Sequence, residues 1–519
     1  MKSWLTWSLL IVFAVALALR LPGLSERPMH TDESVHAYKF LGLWETGKYQ
    51  YDPKEYHGPS LYYLSLPAAW LSGAKNRDQL TEASLRITPA IHGAALILAL
   101  LLLAKTIGAG PVLAAGLLTA VSPALVFYSR YFIHEIPLVL FTFLALAAGW
   151  RHLQKPAWQW AVLLGVGLGL MQATKETFVF NLAAAAGAIL GCLAWQRFVL
   201  RQPPDLRPCL QPGHWALVVF SALAVSLVLF SSFFTNARGP LDSLLTYEPW
   251  FKRAGGQTQH LHPWHYYLSL LFYTHRAKGM VFSEAGILLL AAVGAVFAFL
   301  PKATGPAQPW FRFVALYSVL LTAVYSVIPY KTPWCLVGFL HGFILLAGYG
   351  ASRLYEFLPS RIPRLAGLLA FGALCGHLGW QAWQAGSPTY CTDRRNPYVY
   401  AHTTPDLLNL VQRVNNLAAV HPRGKDMVVK VIAQAGDYWP LPWYLRSLNK
   451  TGFFYEIPED CQAEAIIASP KFGSQLESKL AGGYIMTQFY GHRPAVFLCL
   501  YVRKDLWEDY LKKRAPEDD

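Results

Sequence analysis

Charge is scarce in this chain. Only 14% of its 519 residues are Asp, Glu, Lys or Arg, against about a quarter in a water-soluble domain. That shortfall excludes an ordinary soluble enzyme of this length. The seven cysteines contain no Cys-x-x-Cys spacing, which removes a zinc ribbon or a dithiol redox motif. Short alternating strands of the outer-membrane kind are missing, so a β-barrel is excluded as well. The sequence has no internal repeat and no low-complexity tract. Met1 to Arg20 has the outline of a signal peptide, Lys2 followed by an apolar stretch. No small-x-small cleavage site follows it, only Arg20-Leu21-Pro22-Gly23, so the segment reads as a retained first span.

What the chain has in abundance is long apolar runs. It is 54% hydrophobic with a mean hydropathy of +0.30. Runs of Leu, Ala and Val predict spans at 4–21, 86–105, 110–128, 136–150, 158–174, 178–196, 215–234, 284–301, 311–328, 334–351 and 365–383. The expectation is a polytopic α-helical membrane protein with about eleven transmembrane helices. Leu61 to Leu71 is apolar but short and holds Pro67, which suits an interfacial helix. Cys192 and Cys335 fall in or beside apolar runs and read as small core residues.

The net charge of +14 is scattered between the apolar runs, which argues against nucleic acid and for membrane lipids as partners. With a cytoplasmic N-terminus, the inner connections hold Lys105; Arg151 and Lys155; Arg197, Arg201 and Arg207; Lys302 and Arg312; and Arg353, Arg361 and Arg364. All are basic and nearly free of acid, as the positive-inside rule requires. The acidic pairs and the C-terminal segment then lie outside.

The predicted organisation is a transmembrane module over 1–385, with a large first external loop at 22–85 and a second at 235–283, then an extracytoplasmic α/β domain over 386–519. In that tail the apolar runs shorten to strand length at 427–433, 465–468 and 496–502, and Leu407 to Leu417 reads as an amphipathic helix. Two of Cys391, Cys461 and Cys499 can pair in an oxidising compartment; the sequence does not choose which.

The acidic pair Asp32-Glu33, with His30 and His36 beside it, stands just after the first span, and His57 follows in Tyr56-His57-Gly58-Pro59-Ser60-Leu61-Tyr62-Tyr63. One reading is general-base chemistry, a carboxylate removing a proton from an attacking hydroxyl or amine. Another is a divalent metal on His30, Asp32 and His36. The plain alternative is a hydrated interfacial loop. Arg130 and Glu135, in Tyr128-Ser129-Arg130-Tyr131-Phe132-Ile133-His134-Glu135, stand at bilayer depth and either pair with each other or serve a site. Lys175-Glu176 is a second such pair. Tyr330-Lys331-Thr332-Pro333-Trp334 holds one lysine at a span mouth, where a snorkelling anchor is the ordinary alternative. Cations around an acidic loop point to binding of a lipid phosphate beside an activating acid. Tyr49, Tyr51, Tyr56, Tyr62, Tyr63, Trp264, Tyr266, Tyr267 and Tyr273 offer ring faces for a sugar or prenyl chain, though aromatic belts occur at every membrane interface. The loop over 235–283 carries Arg238, Asp242, Glu248, Lys252, Arg253, His260, His262, His265, His275 and Arg276, and reads as a lid or acceptor-binding loop.

These motifs in this order resemble the C-type (GT-C) integral membrane glycosyltransferases, in particular the protein O-mannosyltransferase and aminoarabinose transferase branch. The resemblance rests on Asp32-Glu33, His57-Gly58-Pro59-Ser60-Leu61-Tyr62-Tyr63, Arg86-Ile87-Thr88-Pro89-Ala90, Ser122-Pro123 through Arg130 to Glu135, and Gly169 through Lys175-Glu176, over roughly residues 1 to 200. Tyr330 to Trp334 and Asp437-Tyr438-Trp439-Pro440-Leu441-Pro442-Trp443-Tyr444 are similar to a subgroup labelled flippase-activity-associated proteins. Gly58 stands where the family has proline, and Ser60 also departs from its pattern.

The resemblance implies an inverting transfer from a polyprenyl-phosphate sugar donor to an unidentified acceptor at the outer face of a prokaryotic cytoplasmic membrane. It implies Asp32, Glu33 and Glu135 as catalytic acids, Arg130, Lys175, Tyr330 and Lys331 on the donor phosphate, and His36, His57 and Tyr62 toward acceptor or sugar. Members differ in metal use, so no cofactor follows. The rival expectation is a flippase or flippase-accessory protein for lipid-linked sugars.

Overall fold

The computed structural model describes residues 3–54, 57–203, 207, 211–248, 260–301, 305 and 307–514. Tyr56, Lys252, Arg253 and Lys302 lie outside the described residues, as does 249–259 of the second long loop. The principal helices are α1 (Ser3–Arg20), α2 (Thr31–Thr46), α3 (Ser60–Leu71), α4 (Glu82–Ala99), α5 (Ala109–Val121), α6 (Pro123–Ser129), α7 (Glu135–Gln154), α8 (Trp158–Gln172), α9 (Phe178–Ala194) and α10 (Pro212–Phe230). They continue with α11 (Ala285–Phe299), α12 (Gln308–Val327), α13 (Val337–Phe357), α14 (Arg361–Ala385), α15 (Asp406–Val420), α16 (Gly473–Leu480) and α17 (Lys504–Arg514).

The chain forms two compact units. The first holds Met1–Leu24, Lys48–Ala68 and Ala83–Tyr400. The second holds Ser25–Gly47, Ala69–Glu82 and Ala401–Asp519. Where the sequence reading draws one line at 385/386, the chain divides at Tyr400/Ala401, and two pieces of the first loop belong with the tail.

In the first unit, helices stand at all eleven places expected from the apolar runs. Eight among the described residues are long and apolar enough to cross a membrane, or nine if the bent pair α5–α6 is one span. The difference from eleven lies chiefly in α8 and α11, which have 15 residues each. At 1.5 Å per residue that is about 22 Å, short of a hydrocarbon core of about 30 Å. In α8, Gly165 and Gly169 fall one turn apart on the face toward α10. A Cβ at Gly165 would lie 2.2 Å from the Val218 carbonyl oxygen, and one at Gly169 2.6 Å from that of Ala222. Only glycine lets two lipid-embedded backbones meet that closely.

The run expected as one span over 110–128 is instead broken by 59°. Pro123 has no N–H to give Thr119 and forces Ser122 out of helical geometry (φ −57°, ψ 118°). The freed groups find other partners. Arg20, fully buried at the end of α1, donates to the Thr119 and Ala120 carbonyls at 3.0 Å each. Glu284 accepts from Ala124 N–H (2.9 Å), Ser122 Oγ (2.6 Å) and Tyr398 Oη (3.0 Å). A break in a membrane helix stands only when such groups are re-satisfied internally.

The second unit is an α/β domain on a five-stranded sheet ordered β2-β1-β3-β5-β4, with β1 Val428–Ile432, β2 Lys450–Phe454, β3 Ala465–Ala468, β4 Tyr484–Arg493 and β5 Val496–Arg503. β1 pairs parallel with β2 and β3; β5 pairs antiparallel with β3 and β4. Side chains alternate with period two. Val429, Val431, Ala465, Ile467, Leu498, Leu500 and Val502 join the core shared with α15 and α17. Ile432, Ile466, Ala468, Cys499 and Tyr501 enter the opposite one beneath α16. Cys461 and Cys499 are buried free thiols in that second core, and Cys391 belongs to the other unit.

Candidate active site

In the first unit the segment after Lys48 docks onto the turn between α8 and α9. Gly58 N–H donates to the Thr174 carbonyl (3.1 Å) and Ser60 N–H to that of Ala173 (2.9 Å). A Cβ at Gly58 would sit 2.3 Å from the Ala173 oxygen. Glycine at this position thus has a local reason: this backbone needs both a donor and no side chain. Docking delivers His57 and Tyr51 to Glu176, with His57 Nδ1 2.8 Å from Oε2 and Tyr51 Oη donating to Oε1 at 3.2 Å. Burial pushes the Glu176 carboxyl up, but the facing His57 and its hydrogen bond outweigh that and leave it below the ordinary carboxylate range.

One residue earlier, Lys175 is buried and makes a short ion pair with Glu135, the first residue of α7. Burial alone pulls the Lys175 ammonium down; the Glu135 carboxylate overcomes it, so the lysine stays charged. These partnerships differ from the neighbour pairings that are the ordinary alternative. Glu135 takes Lys175 rather than Arg130, and Glu176 takes His57 and Tyr51 rather than its neighbour. Arg130 donates to the Arg20 and Gly23 carbonyls at 3.2 and 3.3 Å, at the end of α1. Tyr62, expected toward a ligand, is fully buried, its ring 5.0 Å from Tyr49 and 5.6 Å from His134. We assign it to packing. Glu135 and Lys175 stand at one end of a narrow cleft, lined further by Thr142, Tyr325, Cys335 and His341.

Lys331 has a different setting. An isolated antiparallel bridge joins Leu261 and Tyr330, and Lys331 Nζ donates to the carbonyls of His262 (3.1 Å) and Ile328 (2.5 Å). No carboxylate pairs with it among the described residues, and burial holds its ammonium below the ordinary lysine range. Tyr400 Oη lies 2.6 Å from His260 Nδ1 and 3.3 Å from His262 Nε2, and the Tyr330 ring lies 5.0 Å from His260. A buried cation with only carbonyl partners is suited to receive an anion.

The acidic pair lies in the second unit. His30 caps α2 by accepting Asp32 N–H at Nδ1 (3.1 Å), and Glu33 reaches back to His30 N–H (2.9 Å). Glu33 is fully buried and held by both arms of Arg27, at 2.7 and 3.0 Å. This is a capping box locked by an ion pair, and we assign Glu33 to holding the turn. Asp32 faces the other way, its side chain 45% exposed in the first turn of α2, where the helix dipole favours the anion. His36 is buried. The tail motif packs beside them: Trp439 lies 5.9 Å from the Tyr38 ring, Tyr444 Oη accepts Met29 N–H (2.8 Å), and Arg493 joins Asp437 to Thr31.

Among the described residues, no group of three or more His, Cys, Asp or Glu side chains is placed to hold a metal ion. In the candidate set of His30, Asp32 and His36, the His30 Nδ1 accepts from the Asp32 amide. Sequence reasoning missed His134, Tyr400 and Glu284. Glu284 carried a readable signal, a lone acid opening an apolar run; Tyr400 carried none.

Comparison with known proteins bears on the fold. A family profile described as dolichyl-phosphate-mannose-protein mannosyltransferase matches residues 77–229. Among curated proteins, none matches the sequence significantly. The crystal structure of ArnT from Cupriavidus metallidurans in the apo state superposes with a TM-score of 0.62 at 14% identity, over 94% of this chain and 97% of that one. The chain has the GT-C fold. The ArnT structure bound to undecaprenyl phosphate gives 0.61 over the same shares. The GT-C fold is shared at 13% identity by the Archaeoglobus fulgidus oligosaccharyltransferase tethered to an acceptor peptide (TM-score 0.54, 98% of this chain, 77% of that one). With its apolar helices and GT-C fold, the chain is an integral membrane protein.

Proposed function

We propose that this protein is an inverting glycosyltransferase that moves a sugar from a polyprenyl-phosphate carrier to an acceptor at the outer face of the membrane. The observation that carries the reading is the buried cluster of Glu135, Lys175, Glu176 and His57 at one end of the membrane helices. The GT-C fold and an ArnT structure holding undecaprenyl phosphate support it. Asp32, the half-exposed member of the acidic pair, is the candidate base. It takes the proton as the acceptor oxygen or nitrogen bonds to the anomeric carbon from the face opposite the phosphate. The carbon–oxygen bond to phosphate breaks, and its electron pair leaves on the polyprenyl phosphate. Lys331 is the leading candidate for that phosphate because its charge has no carboxylate partner among the described residues. Lys175 can serve only by exchanging Glu135 for phosphate, and Arg130 and Tyr330 remain candidates. His57 is the candidate for holding the acceptor or sugar.

The test is sugar release from a polyprenyl-phosphate donor by purified protein in liposomes, wild type against Asp32→Asn. Removing a general base lowers turnover by about 10²- to 10⁴-fold, with donor binding retained. Full turnover in the variant rejects Asp32 as base. No turnover in either protein, with labelled lipid crossing the bilayer in both, replaces the transferase by a lipid carrier.

A further inference from the structure

The cleft that begins at Glu135 and Lys175 runs inward between α7, α12 and α13, and most of its wall is apolar: Leu138, Val139, Leu146, Val314 and Leu345. Of the polar atoms that interrupt that wall, three are unmatched. Thr142 Oγ1, His341 Nε2 and Trp310 Nε1 are buried, and none has a hydrogen-bond partner in the protein among the described residues. Their residues are 6%, 4% and 1% exposed, and all three line this cleft. Thr142 stands seven residues along α7 from Glu135, about 10 Å deeper at the helical rise. Trp310 is near the opposite end of α12 from Tyr325, which lines the mouth.

Native proteins leave few buried polar atoms unmatched, because each costs as much as a lost hydrogen bond. An isoprenoid chain offers none of these atoms a partner. A hydroxyl does, since it accepts from the Trp310 N–H and both donates and accepts at Thr142 and at either tautomer of His341. An ionisable side chain at this depth is otherwise rare outside binding sites and water-filled cavities.

We infer that the cleft beneath the Glu135–Lys175 pair is a site for hydroxylic ligands inside the helix bundle, built by Thr142, His341 and Trp310, and not a dry slot for a lipid chain. Water and the hydroxyls of a carrier-linked sugar share this chemistry. Either also gives Glu135 a polar neighbour on its inner side, so that Lys175 can leave it for another anion.

The experiment labels the full chain in liposomes with a negatively charged methanethiosulfonate and reads modification site by site by mass spectrometry. Thr142→Cys and His341→Cys are compared with native Cys375 on α14, which does not line the cleft. Should either variant fail to fold, native Cys335, which does line it, gives the same comparison unaltered. The expected result is modification at least about tenfold faster in the cleft, because the reagent and the reactive thiolate both need water. Equal rates overturn the site. Protection by a sugar-bearing polyprenyl phosphate, but not by the bare phosphate, identifies the ligand as sugar; no protection by either identifies it as water. Equal protection by both lipids means an isoprenoid chain fills the cleft, and overturns the inference. None of these readings requires turnover, so they stand or fall apart from the transferase assignment.

Discussion

Asp32 and Glu33 are adjacent, both acidic and both near the start of α2, yet they meet opposite fates. Glu33 is closed off by Arg27 and the His30 amide, while Asp32 keeps an open carboxylate. The sequence made the pair conspicuous but could not rank its members, since the choice depends on where the Arg27 fork arrives. His492 is a similar case. Burial, helped by the neighbouring Arg493, pulls its imidazole down to about 3. The unfolded chain takes up that proton near 6.5 and the folded one does not. The stability His492 contributes is therefore complete above pH 6.5 and declines as pH falls toward 3. Replacing it by Gln is expected to flatten the acid side of the stability profile, measured as the pH dependence of the unfolding midpoint of wild type minus variant. Parallel profiles reject the assignment.

At the scale of elements, the docking of the His57 segment onto the α8–α9 turn hangs on one residue. Gly58→Ala brings a methyl against a backbone oxygen that cannot move aside, and overpacking of this kind costs about 1–3 kcal/mol. A lowered melting temperature, with faster hydrogen exchange confined to residues around 57–60 and 173–176, is the expected outcome; an unchanged Tm contradicts the tight approach. The Ser122-Pro123 break and the edge strands show what the apolar pattern conceals. A hydropathy window averages across a proline, so α5 and α6 read as one span. β1, β3 and β5 read correctly because both their faces are covered. β2 and β4 lie at the sheet edges, where half-exposed strands mix polar with apolar residues, and were not foreseen.

Across the molecule, successive helices of the first unit place Arg151, Arg197, Arg312, Arg353 and Arg361 near one set of helix ends, and Glu135, Lys175, Glu284 and Lys331 near the other. This supports a cytoplasmic basic end and an outer working end, which we propose as the orientation. Reporter fusions decide it. A fusion after Arg207 is expected to be active as a cytoplasmic fluorescent protein, and one at the C-terminus as an extracytoplasmic phosphatase. The reverse pattern rejects the orientation.

The sequence by itself determined the membrane class, the places of the helices and the three inner strands, and the list of charged motifs. These follow from local hydropathy and from charges being rare enough in lipid to stand out. Only the tertiary structure decided who partners whom: Lys175 with Glu135, His57 with Glu176, Glu33 with Arg27, and Lys331 with no carboxylate among the described residues. Ion pairs and buried hydrogen bonds are made across long sequence separations, and their energy depends on distance and burial, which the order of residues does not contain.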